Sequence, residues 1–120
     1  MFEIGKPAAY DFPVEVRRPS ETNPGQFTKQ HFNATFAALP VDEGRALVKE
    51  VEADRTAGGL MSLDKELLRR VVRGWKGVKE EFGPEMLEAA LDDAFILAAL
   101  MTAYRKSLDG EAVQSRRLGN

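Results

Sequence analysis

The spacing of apolar residues changes at Pro40, and that change constrains the fold more than any other feature of the chain. Before it, Tyr10, Phe12, Val14 and Val16 alternate with Asp11, Pro13, Glu15 and Arg17. A period of two puts one set of side chains on one face of an extended strand. Pro13 falls on the opposite face and has no backbone N–H to donate, which suits an edge strand. Residues 18–25 collect turn formers and read as a loop. Phe32, Ala34 and Phe36 then alternate again, so residues 26–39 are expected to pair antiparallel with the first strand in a long-looped hairpin. The same stretch offers Phe32, Phe36 and Leu39 at helical spacing, which leaves a helical turn before Pro40 open.

Beyond Pro40 the period becomes that of a helix. Gly44, Leu47, Val48 and Val51 form one stripe, Asp42 stands in the first turn, and Gly58-Gly59 can end the helix. Ser62 can cap a second helix with the stripe Leu63, Leu67, Val71 and Trp75, thickened by Leu68 and Val72. Gly74 and Gly77 place its end near Trp75. Pro84 suits the first position of a short helix reaching about Leu91. Asp92-Asp93 can cap a last helix over residues 94–107, unless these two helices are one. Residues 109–120 carry little apolar content and read as a loose tail. The expected fold is α+β and mostly α, an N-terminal β-hairpin (residues 1–39) packed against about four helices (residues 40–108). At 120 residues and 13.3 kDa this fits one domain spanning residues 1–120.

Charge excludes some classes of partner. Seventeen Lys and Arg interleave with nineteen Asp and Glu for a net charge of −2, which gives no footprint for nucleic acid or an anionic membrane. With no cysteine, disulfides, thiolate nucleophiles and cysteine-ligated metals are absent from the repertoire. The start, Met1-Phe2-Glu3-Ile4, lacks the pattern of a signal peptide. The longest apolar-rich run, residues 94–103, is about half of what a bilayer crossing needs. A cytoplasmic protein is expected.

The candidate chemistry is thin. His31 is the single histidine and has no HxH or HxxxH companion, and on the strand reading it points to solvent. Asp92-Asp93 lacks the further loop ligands of a cation site and is explained by helix capping. Gly58-Gly59, Gly74, Gly77 and Gly83 have neither phosphate-loop spacing nor a buried strand before them. No serine lies in a G-x-S-x-G elbow. Arg69, Arg70, Arg73, Lys76 and Lys79 surround Trp75 as a basic run, but Glu66, Glu80 and Glu81 dilute it. Trp75, at the end of its stripe, would cover a junction between helices. No catalytic, cofactor-binding or metal-binding set emerges, and a protein-binding role is the expectation.

Several landmarks in order carry a resemblance. They are Phe12-Pro13-Val14-Glu15-Val16, then Phe32, Phe36 and Leu39, then Val72-Arg73-Gly74-Trp75-Lys76-Gly77-Val78. Pro84, Leu87, Ala103-Tyr104 and Gly119-Asn120 follow. Over nearly its whole length the chain resembles the tail assembly chaperones of long-tailed bacteriophages and prophages. The resemblance implies a non-catalytic chaperone, without cofactor, that coats the tape measure protein and helps recruit tail tube proteins. It implies action in the host cytoplasm and absence from the mature virion. Self-association is expected as well, and neither nucleic acid nor membrane is an expected partner. A tape measure protein is long and helical with an apolar face, so its holder needs apolar surface that accepts a helix. The last helix is apolar nearly all round, and Trp75, Phe95, Leu97, Leu100, Met101 and Tyr104 are the candidate contact residues, with core packing as the alternative for each. Two rival functions stand beside this one: a small DNA-binding regulator using the Arg69 to Lys79 segment, and a structural tail connector or terminator.

Overall fold

The computed structural model describes residues 9–56 and 62–108. Strands β1 (Ala9–Pro19) and β2 (Phe27–Ala37) pair antiparallel along their full length, Ala9 opposite Ala37 and Pro19 opposite Phe27. The hairpin loop closes through Ser20, whose N–H donates to Gln26 O at 2.8 Å and whose hydroxyl accepts from the Asn23 N–H. Gly25 takes a φ of +85° there, a conformation that side-chain-bearing residues adopt only at a cost. The alternation holds: Val14, Val16, Ala34 and Phe36 are buried on the inner face.

From Pro40 the chain forms α1 (Val41–Thr56) and α2 (Ser62–Val71). Asp42 and Glu43 occupy the first turn of α1, where the helix dipole favours negative charge. Helix α1 rests on α2, with Leu47 buried and Glu43 3.6 Å from Arg70. The expected C-terminal cap at Gly58-Gly59 and the tail of residues 109–120 lie outside the described residues.

The main correction falls between residues 72 and 76. Instead of continuing the second helix to Trp75, the chain turns into strand β3 (Val72–Lys76), antiparallel to β2. The sheet is therefore three-stranded, in the order β1-β2-β3, and residues 40–108 are not all helical. The misleading spacing has a cause. Thr35 faces Gly74 while Phe36 faces Val72, so Arg73 is an extra residue on β3. This bulge resets the alternation, and Val72 and Trp75, three apart, both lie opposite inner-face residues of β2. An i, i+3 pair of apolar residues on a bulged strand imitates a helix.

After β3 come α3 (Pro84–Leu91) and α4 (Ala94–Leu108). They are two helices: Asp93 Oδ1 accepts from the N–H groups of Phe95 at 2.9 Å and Ile96 at 3.2 Å, capping α4. Helix α4 lies against β1, and Leu97, Leu100, Ala103 and Tyr104 join the strand side chains in one core with Leu68, Val71, Leu87 and Leu91. Tyr104 meets Phe36 edge-on at 5.4 Å, and Tyr10 shares a 2.8 Å hydrogen bond with Ser107.

Ion pairs fasten the outside. Arg69 grips both oxygens of Glu88 at 2.7 and 2.8 Å, and Lys65 Nζ reaches Asp92 at 2.7 Å, tying α2 to α3. Because both pairs face solvent, their coupling is expected to be small and salt-sensitive. A double-mutant cycle on Arg69→Ala and Glu88→Ala should show a coupling that disappears in molar salt.

Acid should do more, because several carboxylates act together. Lys76 lowers the pKa of Asp11, Arg17 that of Glu15, Arg69 that of Glu88 and Lys65 that of Asp92. Burial raises that of Asp93, but Arg18 and the capped N–H groups outweigh it. A carboxylate depressed in the folded state stabilises fully above its unfolded value, about 4, and that contribution is lost as pH falls through the folded value. Thermal midpoints should be level from neutral pH to about pH 5 and then fall steadily into acid.

Candidate binding groove

Helix α4 carries two stripes. Leu97, Leu100 and Tyr104, at i, i+3 and i+7, point into the core. Phe95, Ala98, Thr102 and Lys106, at i, i+3, i+7 and i+11, form a second, exposed stripe, and Ala99, partly buried against the core, borders it. This outer stripe faces Phe12 and Pro13 of β1 across a groove of about 620 Å³. Small side chains, Ala98, Ala99 and Thr102, line the helix side of the groove, together with Phe95, 42% exposed.

The rim is charged. Arg17 and Lys106 line the groove with one carboxylate, Glu15, which accepts from Arg17 at 2.9 Å and lies 3.3 Å from His31. Arg18 sits 5.8 Å from the centre of the Phe95 ring while pairing with Asp93 at 2.8 Å, so the capping carboxylate also holds Arg18 beside that ring. A second groove of about 560 Å³ adjoins the first, and His31 lines both. Its walls include Phe32, Trp75, Met86 and Ile96.

The six residues expected to touch a partner are therefore dispersed. Phe95 lines the first groove and Trp75 the second. Leu97, Leu100 and Tyr104 are buried among the domain's own core residues, and Met101 is half-buried against that core. Trp75 lies on β3 and not at a helix junction, edge-on to Phe32 at 6.4 Å and to Phe82 at 4.9 Å. Its indole N–H donates to Glu80 O at 2.9 Å, which folds the following loop back on the strand. Ala98, Ala99 and Thr102 line the groove as well, and their i+3, i+4 and i+7 spacing from Phe95 is the sequence signal that marks them.

The other candidates find structural places. His31 projects from the sheet, 62% exposed, beside Glu15. Asp92 pairs with Lys65 and Asp93 caps α4, so the adjacent carboxylates point to different partners. The basic run is split between α2 and β3, with Arg69, Arg70 and Lys76 each paired to an acid. Among the described residues no group of three or more His, Cys, Asp or Glu could hold a metal ion. No described helix is long and apolar enough to cross a membrane.

Neither a family model, a curated protein nor a solved structure matches this chain.

What the arrangement offers is apolar contact area with a cationic margin. Ala98→Glu puts a charge on the exposed floor of the groove and is expected to leave thermal stability within about 0.5 kcal/mol of the parent, as surface substitutions do. Differential scanning calorimetry checks it.

Proposed function

We propose that the chain is a non-catalytic tail assembly chaperone that binds the tape measure protein of its tail and helps recruit tail tube subunits. In this reading it is one mostly α domain, a hairpin packed on its helices, that self-associates in the host cytoplasm and leaves before the virion is complete. The observation that supports it is the exposed stripe Phe95, Ala98 and Thr102, which with Ala99 and Phe12 lines an open groove. A long helical protein with an apolar face needs such a surface while it waits for its tube. The order of landmarks from Phe12-Pro13-Val14 to Ala103-Tyr104 supports the same reading.

Co-expression is the test. The tape measure protein of the same tail gene cluster should move from the pellet to the soluble fraction when this chain is present, and Ala98→Glu should return it to the pellet. A tape measure protein equally soluble without the chain overturns the reading. Persistence of the chain in purified virions would make it a connector or terminator, and a salt-dependent gel shift with duplex DNA would make it a regulator.

A further inference from the structure

We propose that the groove between β1 and α4 selects an amphipathic helix whose apolar stripe is flanked by acidic residues, an inference that rests on the protein-binding reading above. A helix suits the site better than a strand. Among the described residues β1 is the sheet edge beside the groove, and Pro13 at its middle is a device that discourages strand addition. The opposite wall is a helix face of small residues, Ala98, Ala99 and Thr102, and small side chains at a helix contact allow the axes to approach closely. Phe12 and Phe95 supply the large apolar contacts to either side.

The rim supplies the selection. Two cations, Arg17 and Lys106, line the groove against one anion, Glu15; Arg17 is paired with Glu15 at 2.9 Å, which leaves Lys106 as the surplus cation of the rim. Among the described residues Lys106 has no ion pair that an incoming carboxylate would have to displace. Rim charges of this kind steer and select more than they hold, and salt weakens them.

Two fluorescent synthetic helices with one Leu stripe, one flanked by Glu and the other by Lys, test this against the full chain by anisotropy. The Glu-flanked helix should bind about tenfold more tightly at low salt, with the difference shrinking as salt rises. Lys106→Glu should erase or reverse the preference, and Ala98→Glu should abolish binding of both while the circular dichroism spectrum is kept. Equal binding of the two helices overturns the charge selection and leaves the protein-binding reading standing. Failure of both helices, with the tape measure protein still held soluble, overturns the site and again leaves that reading standing. If Ala98→Glu instead dissociates a self-assembled form, the occupant is a second copy and the proposal falls. A tape measure protein indifferent to the chain removes the reading itself, whatever the peptides do.

Discussion

Phe36→Ala is expected to cost about 3–5 kcal/mol of folding stability, the range for truncating a buried aromatic side chain. Phe36 is fully buried, 5.4 Å from Tyr104 and 6.1 Å from Tyr10 between ring centres. It stands where β2 faces both the start of β1 and the bulged end of β3. Its removal leaves a cavity bordered by all three layers of contact, and neighbours held by backbone pairing cannot collapse into it. Domains are typically stable by about 5–15 kcal/mol, so the variant should be marginal at room temperature. Urea unfolding followed by far-ultraviolet circular dichroism checks it. A loss below about 1 kcal/mol would mean that the three strands do not share this core.

Trp75→Ala should cost about 2–3 kcal/mol, less than a fully buried tryptophan because part of the side chain stays exposed. Two effects separate here. The ring packs edge-on against Phe32 and Phe82, and its N–H holds Glu80 O. Trp75→Phe keeps much of the packing and removes the donor, so it should cost about 1 kcal/mol. The chain has one tryptophan, so its fluorescence reports on this corner alone. In the parent the emission and circular dichroism transitions should coincide under urea, since β3 belongs to the same sheet as the hairpin. An emission change well before the main transition would mean that this corner opens independently.

The parts of the fold governed by local rules were legible in the sequence. The hairpin was visible because the first strand alternates strictly and Phe32, Ala34 and Phe36 alternate again after a polar loop, although Phe32, Phe36 and Leu39 fit a helix as well, and Pro13 marked the edge. Pro84 and Asp93 announced α3 and α4 because first-turn proline and capping carboxylates act within a few residues. What failed was β3. Its place is decided by pairing with a strand some forty residues earlier, and its bulge at Arg73 destroys the period that would have revealed it. The groove was half legible. Surplus apolar residues on the last helix pointed to α4, but Leu97, Leu100 and Tyr104 went to the core. Which stripe a helix buries depends on the sheet it meets, and alanines drew no notice beside larger residues.

The contact between Tyr10 and Ser107 joins residues 97 positions apart, and through it α4 covers the inner face of β1. A ribosome adds about 5–20 residues per second, so the finished hairpin waits several seconds for the helix that shelters it. Throughout that interval Val14 and Phe36 have no partner from α4, and a chain interrupted before Leu97 never acquires one. Nonsense alleles ending anywhere from Lys76 to Ile96 should therefore yield aggregated fragments and not partially active ones.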